Sequence, residues 1–339
     1  MRLPVKENSG AGRGVKRFMC SKCFGAIIAA VLLFMHLAGA QEVQRVGVIL
    51  QGGDWYAVVD GLRDGLNQLG LVEGKQFLLD IRDTRGDLKT VEAAAKNLEQ
   101  QKVKLIYTAS TSVSVAAKRA TQSIPMVFVA GTDPVTVKLV ESIAAPGGRL
   151  TGVHLWSTEL TGKRLELLRE IVPDVRRVVT FYNPQNPSAI ASAKEGRDAA
   201  ARLGLQFIER HVASVEELQT AVYAFKTDEA DAYIAVSDAM IDSQIQSIIA
   251  MAKAKKLPTM LYEPAAVVKG GLVTYGADFK EAGRLSAKHV RQVLAGASPA
   301  DLPVEGVDKL LLVINLKTAK QIGLAIPESI LLRADKLIE

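Results

Sequence analysis

Cysteine is nearly absent. There are two in 339 residues, Cys20 and Cys23, both near the amino terminus. No disulfide framework can therefore hold the remainder, and about 300 residues can bury a sufficient core without one. Histidine numbers four, and His154, His211 and His289 have no metal-ligand spacing with one another or with a cysteine. A resident metal is not expected. Charge of one sign is also lacking once the chain is divided: of the formal +6, six bases and one acid lie in residues 1–40, leaving 36 Lys and Arg against 35 Asp and Glu. A nucleic-acid partner thereby loses its electrostatic footprint. No nucleophile elbow, phosphate-binding lysine loop or dinucleotide fingerprint occurs, so neither an enzyme nor a cofactor is indicated.

The first forty residues have their own pattern. Arg2, Lys6, Arg13, Lys16, Arg17 and Lys22 precede an apolar run from Phe24 to Met35, and Ala38-Gly39-Ala40 follows. A basic segment, a short apolar stretch and small residues make a secretory leader, with cleavage expected after Ala40. The run is shorter than the roughly 20 residues of a spanning helix, which disfavours an anchor.

From residue 43 onward, β-branched runs alternate with amphipathic stretches, the mark of a parallel α/β sheet. Strands are predicted at 45–50, 77–81, 103–107, 125–129 and 150–153, with helices between them, one over 112–121. The rhythm restarts with a helix at 163–171 and strands at 177–182, 206–208, 232–236, 259–261 and 272–275. Helices over 188–203, 215–225 and 241–255 separate these strands. Two five-strand series of similar length imply two Rossmann-like lobes rather than one core.

Open α/β sheets bind ligands beyond the carboxyl ends of their strands, and small polar residues gather there. Ser110, Thr111 and Ser112 end a strand and open a helix, where hydroxyls and free N–H groups can hold a carboxylate or phosphate; the plainer alternative is helix capping. Thr132 and Asp133 follow the fourth strand, with Pro134 placed to start a turn or helix. Asn183 and Asn186, each before a proline, occupy the corresponding second-lobe loop. Asp238 and Glu263 follow later strands. Asp238 is the leading partner for a ligand ammonium, because a buried charge must be paired. Aromatics make up only 5% of the chain, so Trp55, Tyr56 and Tyr182 near predicted strand ends are candidates to stack on a ligand, whereas Phe128 reads as core. Arg85-Gly86-Asp87 reads as a turn.

Several longer segments carry a family resemblance: 65–75 (Gly-Leu-Asn-Gln-Leu-Gly-Leu-Val-Glu-Gly-Lys), Asp133-Pro134-Val135, 139–152, 162–168, Asn183-Pro-Gln-Asn-Pro187, Gly270-Gly-Leu-Val-Thr-Tyr-Gly276 and a tail from Ala300 to Asp335. On these the chain resembles the substrate-binding proteins of ABC transporters with the type I periplasmic binding fold, including those for tryptophan and other aromatic amino acids. The resemblance implies two lobes joined by three crossovers, a three-strand hinge. One lobe would hold residues 41–154 with 279–303, the other 155–278 with 304–339. It also implies capture of a small polar ligand, possibly an aromatic amino acid, by lobe closure, then docking on a permease in the inner membrane. The secreted chain is expected to be a periplasmic monomer. The same pocket would serve a sensory protein that presents its ligand to a membrane receptor or kinase.

Overall fold

In the computed structural model, which describes residues 43–339, the alternating pattern resolves into two sheets. The leader and its cut after Ala40 lie outside the described residues. The first sheet begins with β1 (Gln44–Leu50), whose Val46, Val48 and Leu50 face one apolar cluster while Ile49 faces another. Burial on both faces explains its unbroken apolar run. With β2 (Phe77–Asp83), β3 (Leu105–Ala109), β4 (Met126–Ala130), β5 (Leu150–His154) and β11 (Glu305–Gly306), it forms a parallel sheet ordered β11-β5-β4-β3-β1-β2.

Helices α1 (Tyr56–Gln68), α2 (Leu88–Gln100), α3 (Thr111–Ala120) and α10 (Phe279–Leu294) belong to this lobe. Helix α1 buries Val58, Leu62 and Leu66, four residues apart, against the sheet. Its contact with α10 is unusually close. A Cβ on Gly283 would fall on the Val58 carbonyl oxygen, and one on Gly61 would fall on that of Lys280. Only glycine lets the two backbones approach this far.

The second sheet contains β6 (Arg177–Tyr182), β7 (Gln206–His211), β8 (Ala232–Ile234), β9 (Thr259–Leu261), β10 (Val273–Ala277), β12 (Leu310–Asn315) and β13 (Lys336–Ile338), ordered β13-β12-β10-β9-β8-β6-β7. Around it lie α4 (Thr161–Ile171), α5 (Pro187–Leu203), α6 (Val215–Ala224), α7 (Ala239–Ser243), α8 (Ile245–Ala254), α9 (Pro264–Val268), α11 (Leu316–Ile322) and α12 (Glu328–Leu331). Among the described residues no helix is long and apolar enough to cross a membrane.

Four details differ from what the sequence predicts. The second sheet is not wholly parallel, because β12 runs antiparallel to β10 after re-entering the lobe. Glu305 and Gly306 pair with Val153 and His154, so the chain stays on the first sheet past the expected boundary at 303 and leaves through 307–309. The single helix expected over 241–255 is two, broken at Gln244, whose φ of −114° and ψ of 13° are not helical. Helix α9 was not expected. It is only five residues long, too short to show periodicity, and Glu263 and Pro264 set its start.

Both sheets place their strand-order reversal at the same kind of point, between β1 and β3 in one and between β6 and β8 in the other. The crevices of open α/β sheets form at such reversals. The loops that leave these four strands begin at Gln51, Ser110, Asn183 and Ala235.

Candidate ligand site between the lobes

Loops from the two lobes meet along a seam of neutral polar contacts. Ser112, at the start of α3, donates from Oγ to Asn186 Oδ1 at 3.1 Å, and Asn186 Nδ2 returns a bond of 2.9 Å to the same hydroxyl. Asn186 Oδ1 also accepts from Ser188 N, capping α5. Thr132 shares its hydroxyl with Ser188 and Thr158, each at 2.8 Å. Thr111 lies just behind, its Oγ1 accepting from the backbone of Gly131 and Thr132. All five hydroxyl residues are buried. At one end of the seam, the Arg85–Gly86 turn rests on the second lobe, where a Cβ on Gly86 would stand 2.8 Å from the Ala239 carbonyl oxygen.

Ser110 holds this arrangement at a conformational cost. Its φ of 106° and ψ of 153° fall in a region almost reserved for glycine, and its Oγ caps α3 through a long 3.3 Å bond from Val113 N. Ser110→Gly is therefore expected to stabilise the protein by about 1 kcal/mol. Ser110→Ala keeps the strain and loses the cap, so it should destabilise by a similar amount. Denaturant unfolding of the two variants checks both signs.

Further along, the seam opens into a cavity walled by Trp55, Phe279, Leu261 and Ile245, with the carboxylates of Asp242 and Glu263 exposed to it. Asp242 belongs to the second lobe but accepts hydrogen bonds from the first: 2.7 Å from Gln51 Nε2 and 3.4 Å from Trp55 Nε1. The Tyr262 hydroxyl faces the same carboxylate without an aligned hydrogen bond. Burial pushes both acids up, Asp242 to about 7 and Glu263 to about 7. Glu263 accepts from Ala266 N as the cap of α9. Lys269 and Asp54 form an ion pair between the lobes. Trp55 is 3% exposed and its ring lies 4.3 Å from that of Phe279. With the indole in place the cavity measures about 20 Å³, room for one water. A larger guest needs the lobes to part or the indole to turn aside.

The remaining candidates lie elsewhere or are already satisfied. Asp238 is buried beside the seam, but its carboxylate accepts from the backbone N–H groups of Asn183, Met240 and Ile241. That makes it the cap of α7 and leaves the cavity-facing role to Asp242, one turn further on. Asn183 caps its own turn through Gln185 N. Asp133 accepts from Val135 N and Thr136 N, a turn outside the cavity. Tyr56 is 39% exposed and donates to Asp83 of its own lobe. Tyr182 points to the sheet edge, bonded to Glu209 at 2.6 Å and His211 at 2.8 Å.

Asp242, Tyr262 and Phe279 are not among the residues expected from the sequence. A signal existed for Asp242, since it stands four residues after Asp238 and so shares a helix face with that cap. None existed for Phe279, which reaches the cavity only because the chain crosses between lobes at Ala277–Asp278.

Comparisons with known proteins give the family and the fold. The family model for ABC transporter substrate binding proteins matches residues 44–338. A tyrosine-binding protein of Clostridioides difficile strain R20291 is 26% identical over 264 residues, covering 78% of this chain and 76% of its own. A conserved domain protein of Vibrio cholerae O1 biovar El Tor superposes with a TM-score of 0.81 at 29% identity, covering 87% of this chain and all of the other. The ABC domain from Streptococcus pneumoniae in complex with L-Trp gives 0.79 at 27%, covering 88% of this chain and all of its own. The fold is that of type I periplasmic binding proteins, and the chain belongs to the family of ABC transporter substrate binding proteins.

Proposed function

We propose that this protein is the periplasmic capture component of an ABC importer, exported by its leader, and that it takes up an amino acid with an aromatic side chain. The observation that carries the reading is the cavity between the lobes, where aromatic and aliphatic walls meet two buried carboxylates. An apolar body would lie against Trp55 and Phe279, and its ammonium would pair with Asp242 and Glu263. Such a pairing is what a buried cation requires. A ligand that touches both lobes stabilises the closed form, so closure and binding are one equilibrium. The ligands named for the tyrosine-binding and L-Trp-bound relatives support the aromatic class.

Calorimetric titration of the purified protein with L-tryptophan, L-tyrosine and L-phenylalanine tests this directly. Affinity at or below about 10 μM is expected for at least one, roughly −7 kcal/mol. Heat from none of the three would remove the aromatic assignment.

The titration should also be linked to protons. Both acids stand at about 7 in the unliganded protein, and an adjacent ammonium favours their ionised forms. Binding near pH 6 is therefore expected to release at least one proton, with affinity rising about 25-fold or more from pH 5.5 to 7.5. Titrations in buffers of different ionisation enthalpy measure that release, and none released would place the ammonium elsewhere.

A further inference from the structure

Among the described residues the largest fully buried side chain is a cation, Arg164 on α4. Its Nε donates to the Tyr275 carbonyl at 2.7 Å and its Nη1 to the Ser157 carbonyl at 2.6 Å. Nη2 has no hydrogen-bond partner among the described residues. Burial lowers its pKa to about 9, still above neutrality, so the group remains charged. A buried guanidinium held by two carbonyls is costly, and well-packed apolar groups often replace such charges at no loss of stability. Stability alone therefore gives no reason for an arginine here.

The positions of the two carbonyls supply one. Ser157 lies in the first crossing, between β5 and α4. Tyr275 lies near the end of β10, two residues before the second crossing at Ala277–Asp278. The same guanidinium sits 5.5 Å from the ring centroid of Tyr262, and Tyr262 lines the cavity beside Asp242. One planar fork thus ties the first crossing to β10, the strand that leads into the second crossing, and lies beside the wall of the ligand site. A methionine of similar volume could fill the space but could not tie the two strands, and a lysine ammonium lacks the fork that spans both carbonyls.

We propose that Arg164 is a positioning residue of the hinge: it fixes the angle between the lobes by tying the first crossing to the strand that enters the second, beside Tyr262. This inference does not depend on which ligand is bound.

Electron–electron distance measurements test it. Residues 43–339 contain no cysteine, so spin labels can be placed through Asn97→Cys on α2 and Tyr223→Cys on α6. The carrier is the full chain with Cys20→Ser and Cys23→Ser. Asn97 and Tyr223 are both exposed, one on each lobe. In the unliganded protein, Arg164→Met is expected to broaden the inter-lobe distribution and shift it to longer distance. Arg164→Lys should show a smaller change of the same kind. With L-tryptophan bound, dissociation should be about tenfold faster in Arg164→Met, as for loss of a charged hydrogen bond. A lowered unfolding temperature would follow from any structural role; a moved distance distribution would not.

An Arg164→Met protein that unfolds cooperatively and keeps the wild-type distribution overturns the proposal. If that variant does not fold, Arg164→Lys decides in the same way. Absence of L-tryptophan binding by the wild type would count against the ligand assignment alone and leave the distance measurement to judge Arg164.

Discussion

Asp242→Asn is expected to weaken L-tryptophan or L-tyrosine binding by about 100-fold, some 3 kcal/mol, while raising the unfolding temperature of the unliganded protein at pH 8. The loss follows from truncating a buried charge pair, which costs about 3–5 kcal/mol. The gain follows from the free state. Asp242 titrates near 7 when folded and near 4 when unfolded, so between those values the native state holds the extra proton. Stability contributed by this carboxyl is full below about pH 4 and declines as pH rises through about 7, by an amount on the order of 4 kcal/mol. Asparagine keeps an acceptor oxygen for Gln51 and does not ionise, so the variant's stability curve should be flatter over that window. Thermal unfolding across pH and calorimetric titration check the two halves. A variant that binds as the wild type does would show that the ligand's cation is held by another group.

Gly283→Val should have the largest effect on folding. Any Cβ at this position meets the Val58 carbonyl oxygen across the α1–α10 contact, and valine adds two methyl groups. Backbone atoms cannot rotate aside, so the helices must separate and uncover Val58, Leu62 and Leu66. Overpacking of this kind costs roughly 3 kcal/mol or more, which corresponds to a fall of roughly 5 °C or more in Tm. Gly61→Val should behave alike, since its own Cβ meets the facing backbone at Lys280. A change of only a degree or two would mean that the two helices can slide apart without exposing their apolar faces.

These two positions also mark what sequence could disclose. The strands were readable because β1, β3 and β4 are covered on both faces and so lack polar interruptions. The loops beyond them were readable because strand-end chemistry is local: a hydroxyl or amide cap, a proline, a turn. The choice between Asp238 and Asp242 was not local. The first accepts from the N–H groups of Met240 and Ile241 in its own turn and of Asn183, and the second turns toward Gln51, 191 residues away. Trp55 drew notice as an aromatic residue in a glycine-rich loop, but its depth beneath Phe279 depends on a helix entering from the far end of the chain. Tyr56 and Tyr182 were drawn into the candidate set by that same nearness to strand ends, and each instead pairs with a carboxylate of its own lobe. Side-chain direction at the rim of a sheet is decided by neighbours that a short window of sequence does not contain.

The seam of hydroxyls and amides that joins the lobes bears on tempo. Ser112–Asn186 and Thr132–Ser188 are uncharged pairs, and each exchanges its partner for water at a net cost of about 1 kcal/mol. Their attraction has no long reach for salt to screen. A charged pair bridging the same gap nearby, Lys269 with Asp54, involves a lysine that is 45% exposed and so contributes modestly. The opening rate should thus be nearly the same in dilute and in salty surroundings. If the protein works outside the cytoplasm as proposed, where ionic strength follows the environment, a captured molecule would be handed on at a pace the medium does not set.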